Sequence, residues 1–337
     1  MSTSGNQHDK SSPPFFLNKK FVRDFVVFLL KTSLALALLY WLVSSGRLEF
    51  SQLRNIPWSL RTVGLVMLGV GGVFAGILLL GLRLCLMVRS LGIELPFHRS
   101  CSLTSIGLLS GSILPGVVGG DIVKVVYLCR GEAATKRTYA TVSLMCDRAV
   151  GLFSLFLLGS IVLAVAWATD SLPFRSPVLL IAPGFVLLAV GLVIISAKGW
   201  FQGANYLGRW GNYLPSRIKQ AASVGDHFIQ RPWLLARCIG LSLINHILIC
   251  CTFLIGAELL GGVDISSLQQ FMLNPLAMVI NVIPITPGGV GVTESAFSYL
   301  YDAAGISMGA TIGIIGRSIQ YIAYTAVGLP AFILRGK

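Results

Sequence analysis

Six ionisable side chains lie in or beside long apolar stretches, where charged residues are rare. They are Asp121, Lys124, Asp147, Arg148, Glu294 and Arg317. A charge inside hydrocarbon costs about 2.5–3.5 kcal/mol on insertion scales, so each must face protein or a watery cavity. Because an arginine fork binds phosphate through two hydrogen bonds, these cations suit the headgroup of a phosphate-bearing lipid. The predicted headgroup ligands are Arg148, Arg317 and Lys124, and their predicted charge partners are Asp121, Asp147 and Glu294.

Asp147 leaves two interpretations open. Its carboxylate either contributes to headgroup binding or forms a structural ion pair with Arg148 or Lys124. Asn245 and His246, in the middle of another apolar stretch, are weaker candidates, because a histidine there more often satisfies a neighbouring carbonyl. The four histidines and seven cysteines show no metal-ligand spacing, and no nucleotide-binding loop is present. We therefore predict no metal, no cofactor and no catalytic residue.

Two segments rich in proline and glycine interrupt apolar stretches. The first reads Leu-Pro-Gly-Val-Val-Gly-Gly-Asp over 114–121, and the second reads Pro-Gly-Gly-Val-Gly-Val-Thr-Glu over 287–294. Proline removes a helical donor and glycine weakens a helix, and such backbone is tolerated at membrane depth only where it is buried in protein or lines a cavity. The predicted cavity-lining backbone is Pro115, Gly116, Gly119, Gly120, Pro287, Gly288, Gly289 and Gly291.

The composition identifies an integral membrane protein. Of the 337 residues, 55% are hydrophobic and only 12% are charged, whereas a soluble domain has about 25% charged residues. This excludes an ordinary soluble enzyme and a disordered chain. The net charge of +13 would suggest a nucleic-acid partner in a soluble protein. Here the basic residues lie between apolar stretches, so they indicate membrane topology and anionic lipid headgroups, with no nucleic acid.

Hydropathy predicts eight apolar segments, and the basic residues decide between two topologies. If both Pro-Gly segments cross the membrane fully, the basic residues of 198–237 lie outside. If both are re-entrant, over about 101–121 and 268–294, most Lys and Arg residues lie on the cytoplasmic side, as the positive-inside rule requires. We predict the second arrangement: an all-α protein with six full transmembrane helices and two oppositely oriented re-entrant segments that form an inverted repeat.

The chain is predicted to form one membrane domain. Residues 1–24 are expected to be a basic, disordered cytoplasmic tail, and residues 25–337 a single polytopic membrane domain. Aromatic and basic residues mixed over about 199–232 predict an interfacial amphipathic segment. Both termini are placed in the cytoplasm, and the protein in the inner (plasma) membrane.

Three motifs resemble those of one known family. They are Leu-Pro-Gly-x-x-Gly-Gly-Asp-x-x-Lys at 114–124, Asp-Arg-x-x-Gly-Leu at 147–152 and Ile-Pro-Ile-Thr-Pro-Gly-Gly-Val-Gly-Val-Thr-Glu at 283–294. They are similar to the lysylphosphatidylglycerol synthase transmembrane family, also called the flippase-like or UPF0104 family, over roughly residues 25–335. Lys124 stands where many members have Arg, and Asp147 where many have Glu. In two-domain members the membrane part is similar to a flippase for aminoacylated phospholipids, and a separate soluble domain performs the transfer. We expect that domain to be absent from this protein, so the resemblance implies a non-enzymatic protein.

Two classes of function follow. The first is a flippase-like protein that moves a phosphate-bearing lipid between leaflets, with an anionic or aminoacylated phospholipid or a polyprenyl-phosphate lipid as its partner. The alternative is a membrane-embedded enzyme or an accessory protein of polyprenyl-phosphate or glycolipid envelope synthesis, with Asp121 or Asp147 as general base in the enzyme. The expected protein partners are an envelope-synthesis enzyme or a second copy of the chain.

The predicted topology is tested with a cysteine at position 217. In a variant without the seven native cysteines, Arg217→Cys should resist an impermeant thiol reagent added outside the cell and react after permeabilisation, because the segment is predicted to be cytoplasmic. Arg61→Cys, in a predicted outer loop, is the positive control. Labelling of Arg217→Cys in intact cells contradicts the re-entrant topology.

Overall fold

The computed structural model describes residues 19–48, 50–113, 118–129, 134–170, 223–225, 227–261, 264, 266–280 and 285–335. Within these ranges the regular structure is helical, with no strand. Residues 1–18 of the predicted tail lie outside the described residues, as does the apolar stretch at 178–197, one of the eight apolar segments. Most of the predicted amphipathic segment lies outside them too, except 223–225 and 227–232.

Besides short helical stretches at 223–225 and 227–229, the described part of the chain contains ten α-helices. They are α1 (Lys19–Ser44), α2 (Phe50–Arg54), α3 (Leu60–Ser90), α4 (Phe97–Ile113), α5 (Val118–Leu128), α6 (Ala134–Ala168), α7 (Pro232–Leu259), α8 (Ser267–Ile280), α9 (Val292–Ala303) and α10 (Gly309–Arg335), with a 3₁₀ turn at Pro287–Gly289 before α9. The first of these begins at Lys19, inside the predicted disordered tail, although its apolar stretch begins only at Val26.

Four of the described helices are long and apolar enough to cross a membrane. They include Val26–Ser44 of α1, Leu60–Ser90 of α3, Arg137–Ala168 of α6 and Pro232–Leu259 of α7. A helix needs about 20 apolar residues to span the hydrocarbon core, and each of these stretches meets or approaches that length. The chain is therefore a multi-pass membrane protein whose described part is helical.

Helices α3 and α7 form the central antiparallel pair. Small residues let them approach closely: a Cβ atom on Gly76 would lie 2.6 Å from Oδ1 of Asn245. Near the start of α3, Arg61 pairs with Glu258 at the end of α7. We call this end of the bundle the Leu60 end, and the opposite end, where α3 finishes and α7 begins, the Ser90 end.

Helices α4 and α5 form a helical hairpin, whose tip is the end at which α4 finishes at Ile113 and α5 begins at Val118. Gly120 of α5 packs so closely on α4 that a Cβ atom there would overlap the carbonyl oxygen of Gly107 and lie 3.1 Å from the amide nitrogen of Gly111. Further from the tip, Leu103 and Leu128 belong to one buried cluster. The two arms contain 17 and 11 residues, so they reach about 25 and 17 Å, less than the hydrocarbon thickness of about 30 Å.

The second Pro-Gly segment joins α8 and α9 in the same way. Tyr301, near the end of α9, donates a hydrogen bond to Oδ1 of Asn274 in α8 at 2.8 Å, and Phe297 packs with Leu273 in the largest buried cluster. These arms contain 14 and 12 residues. Because the contacts join the two helices side by side along their length, α8 and α9 run antiparallel and form a second short hairpin.

The two hairpins open at opposite ends of the bundle. The α4–α5 hairpin starts just after α3, and the carbonyl oxygen of Leu95 accepts hydrogen bonds from Cys85 and Arg89 at the Ser90 end. The α8–α9 hairpin starts just after α7, at the Leu60 end. Their tips meet inside the bundle, where a Cβ atom on Gly288 would lie 2.8 Å from the carbonyl oxygen of Ser112.

The close approach inside the first hairpin is tested by Gly120→Ala. The added methyl group must push α5 away from Gly107, and overpacking of this kind costs about 1–3 kcal/mol, so we expect a lower Tm in detergent. Gly71→Ala, in the middle of α3 with nothing within 4 Å of the added atom, is the matched control and should leave the Tm unchanged or slightly raised. Equal Tm values for the two variants contradict the close contact.

Candidate functional site

A cavity of about 290 Å³ lies where the two hairpin tips meet. It is lined by the first hairpin, by the following helix α6, and by α7, α8, the second Pro-Gly turn and α10. The lining residues are Gly107, Leu108, Gly111, Ser112, Gly120, Asp121, Lys124, Arg148, Phe253, Met278, Gly288, Arg317, Gln320, Tyr321 and Tyr324. The cavity thus contains all three predicted headgroup ligands, one of the three predicted charge partners and two of the eight predicted backbone positions.

Asp121 is bound by two cations on the first-hairpin side of the cavity. It lies in the first turn of α5, where the helix dipole favours a negative charge. Its Oδ2 accepts a hydrogen bond from Arg148 of α6, and its Oδ1 lies 3.7 Å from Nζ of Lys124, one turn further along α5. The Arg148 side chain is 32% exposed and Lys124 is 12% exposed. Among the described residues, Asp121 is the one hydrogen-bonded partner of Arg148.

Arg317 is bound far more completely on the other side of the cavity. Its Nη1 donates to Oε1 of Glu294 at 2.7 Å and to the carbonyl oxygen of Gly289 at 3.2 Å. Its Nη2 donates to the carbonyl oxygen of Gly288 at 2.5 Å and to the hydroxyl oxygen of Tyr321. The side chain is only 6% exposed. Arg317 therefore clamps the second Pro-Gly turn, and it could bind a headgroup through its terminal nitrogens only by releasing these partners.

Glu294 completes this clamp from the other direction. Its Oε2 accepts a hydrogen bond from the amide of Gly291 at 2.7 Å, which caps the first turn of α9. Gly288, Gly289 and Gly291 all have positive φ angles, of 57°, 73° and 83°, a conformation that favours glycine. These glycines permit the turn, and the Arg317–Glu294 pair holds it.

Asp147 belongs to a different ion pair, outside the cavity. Arg83 of α3 donates from Nε to Oδ1 at 2.7 Å and from Nη2 to Oδ2 at 2.8 Å, and its Nη1 donates to Ser242 at 2.6 Å. The sequence offered Arg148 or Lys124 as the partner of Asp147, and both were wrong. Arg83 escaped notice because a basic residue near the end of a span resembles an ordinary topology signal.

The remaining predicted residues fall into three groups. Gly289, Gly291 and Pro287 shape the second turn without lining the cavity, and Gly119 lies in the first turn of α5. Pro115 and Gly116 lie outside the described residues. His246 donates a hydrogen bond from Nε2 to the carbonyl oxygen of Gly151 at 3.0 Å, as its structural interpretation predicted.

Sequence reasoning missed the uncharged part of the cavity wall. Gln320, Tyr321 and Tyr324 carry no charge, so nothing marked them as unusual. One signal could have found them, because residues three, four and seven positions after Arg317 lie on the same face of a helix. No group of three His, Cys, Asp or Glu residues that could hold a metal ion is present among the described residues.

Comparison with known proteins gives two findings. The model of the family described as lysylphosphatidylglycerol synthase TM region matches residues 28–328. A UPF0104 membrane protein from Pyrococcus horikoshii is 20% identical over 332 residues, which cover 91% of this chain and 96% of the relative.

The clamp geometry predicts a stability effect for Arg317→Lys. An ammonium group keeps the charge but has three donors and no planar fork, so it cannot reach Glu294, both carbonyls and Tyr321 together. We expect a clearly lower Tm in detergent, and a larger loss of about 3–5 kcal/mol for Arg317→Gln, which leaves Glu294 buried without its partner. Arg61→Lys is the control, because its pair with Glu258 is exposed and contributes little. An unchanged Tm for Arg317→Lys contradicts the clamp.

Proposed function

We propose that this chain, which belongs to the lysylphosphatidylglycerol synthase transmembrane-region family, moves a phosphate-bearing lipid between the two leaflets of the membrane. The observation that carries the proposal is the cavity at the meeting of the two hairpin tips, lined by Lys124, Arg148 and close-packed glycines. Cations inside a membrane protein mark binding sites for anions or pathways for them. Lipid phosphate groups are anions that are present in both leaflets of the membrane.

The proposed membrane arrangement has six full spans and two re-entrant hairpins. The short arms and the opposite openings of the α4–α5 and α8–α9 hairpins support it. Trp58 at the Leu60 end and Trp233 at the Ser90 end are 90% and 80% exposed, as expected of residues in two opposite aromatic belts. By the positive-inside rule, the Ser90 end and both termini face the cytoplasm in this proposal. The membrane is proposed to be the inner (plasma) membrane.

In this proposal, one side of the cavity binds the lipid phosphate and the other side is structural. Arg148 and Lys124 bind the phosphate, because they are partly exposed and, among the described residues, share the carboxylate of Asp121 as their ionic partner. Arg317 keeps the opposite wall in place. The closely packed backbones of the first hairpin leave space for the headgroup, while the acyl chains stay in the hydrocarbon outside the bundle.

The enzymatic alternative has weaker support from the geometry. A general base needs a carboxylate oxygen that is free to take a proton from the substrate. Both oxygens of Asp121 face cations, and Asp147 is held by a bidentate bond to Arg83 away from the cavity. An accessory role beside an envelope-synthesis enzyme remains the competing outcome that the transport experiment distinguishes.

The test is headgroup movement in liposomes that contain purified protein. Fluorescent phosphatidylglycerol is placed in both leaflets, and a reductant that does not cross the membrane bleaches the outer leaflet. Wild-type protein should expose the inner-leaflet lipid to bleaching without any covalent change detected by mass spectrometry. A new lipid product would support the enzyme, and neither movement nor product would support the accessory role. Mass spectrometry on gently purified protein would identify the bound lipid.

Arg148→Gln tests the proposed ligand directly. Loss of a charge-assisted contact to phosphate costs about 1.5–3 kcal/mol, so we expect movement of phosphatidylglycerol to slow about tenfold or more with little change in Tm. Arg47→Gln is the matched control. Arg47 lies outside the cavity lining, and its Nε is 3.6 Å from Oδ2 of Asp302. Equal rates for the two variants would remove Arg148 from the pathway.

A further inference from the structure

The two hairpins carry equivalent ion pairs in unequal surroundings. Asp121 and Glu294 each lie in the first turn of a returning arm, and each binds an arginine on the long helix that follows, Arg148 or Arg317. The Arg317–Glu294 pair is buried, and both side chains also form hydrogen bonds with backbone groups of the second Pro-Gly turn. The Arg148–Asp121 pair faces the cavity, where it is partly exposed. One of two equivalent carboxylates is therefore placed where an incoming anion could replace it.

Asp121 already shows how an anion is bound in this cavity. Its two oxygens bridge Arg148 and Lys124, which are also the donors that a phosphate group needs. Two cations share one carboxylate, so this cluster has an excess of one positive charge. A headgroup with a single negative charge would make the cluster neutral, whereas a second negative charge would face Asp121 without a partner.

We propose that Asp121 holds the place of the headgroup phosphate: its carboxylate binds Arg148 and Lys124 in the empty cavity and is displaced by the singly charged phosphate of a phosphodiester lipid. This inference rests on the proposed function. Asp121 acts on the lipid through the two cations, so it is a positioning residue that sets affinity and charge selectivity.

Displacement of one anion by another has a kinetic consequence. The cations keep a partner in both the empty and the loaded cavity, because the carboxylate rebinds them as the phosphate leaves. Binding is weakened by this competition, and release is made faster. Without the carboxylate, the empty cavity would hold unpaired cations in a site of low polarity, and the phosphate would bind more tightly and leave more slowly.

The experiment measures the rate of lipid movement against the mole fraction of fluorescent phosphatidylglycerol. For Asp121→Asn we expect the half-saturating mole fraction to fall about tenfold, the equivalent of one charge-assisted contact, and the maximal rate to fall as well. Asp121→Glu restores a carboxylate and should return both values towards wild type. Glu258→Gln removes a carboxylate from a pair outside the cavity and should change neither value.

Charge selectivity gives a second measurement on the wild-type protein alone. Phosphatidic acid is a phosphomonoester, so at alkaline pH its phosphate can take a second negative charge that the phosphodiester of phosphatidylglycerol cannot. At pH 8 wild-type protein should need a clearly higher mole fraction of phosphatidic acid than of phosphatidylglycerol, and Asp121→Asn should narrow this difference. The wild-type comparison carries the test if Asp121→Asn does not fold.

Two results would overturn the inference. One is an unchanged or higher half-saturating mole fraction in folded Asp121→Asn, which would make Asp121 a structural partner only. The other is a wild-type preference for phosphatidic acid. A wild-type protein that moves no lipid would instead overturn the proposed function, and binding of phosphatidylglycerol to detergent-solubilised wild type and Asp121→Asn would then show separately whether the carboxylate competes.

Discussion

A helix that breaks inside a membrane leaves backbone carbonyl and amide groups without helical partners, and no water replaces them in hydrocarbon. The second Pro-Gly turn shows how this chain meets that constraint. Arg317 donates to the carbonyl oxygens of Gly288 and Gly289, and Glu294 accepts from the amide of Gly291. Because Arg317 and Glu294 also bind each other, one buried ion pair holds the turn from both sides. The position of this turn decides where the hairpin tips meet, and hence where the cavity lies.

In each half of the chain, a carboxylate of the hairpin pairs with an arginine of the helix that follows, but the two ion pairs differ in their surroundings. A buried pair with nearly all its hydrogen bonds made is rigid, and removing either partner is costly. That is the state of Arg317 and Glu294. The Arg148–Asp121 pair has fewer hydrogen-bond partners among the described residues, and its side chains are more exposed to solvent than those of Arg317 and Glu294. In the proposed function, the first half therefore offers its cations to the lipid headgroup, while the second half holds the opposite wall of the cavity in place.

Hydropathy and composition predicted much of this architecture, and the resemblance to the family is confirmed over most of the chain. The long helices were predictable because their apolar stretches are continuous, and the hairpin tips because proline and glycine interrupt such stretches. Which charges pair was less predictable. Arg83 and Asp147 are 64 positions apart, and they meet only because α3 packs beside α6. The early start of α1 at Lys19 was hidden because its first turns are polar.

In the proposed function, the meeting of two short hairpins inside the bundle addresses the largest barrier to lipid movement. A phosphate that crosses hydrocarbon loses its water, and the loss is most severe furthest from both surfaces. Arms of 11 to 17 residues bring the two tips together inside the bundle instead of at either face. In the proposed arrangement, Arg148 and Lys124 therefore replace the lost water where it is most needed.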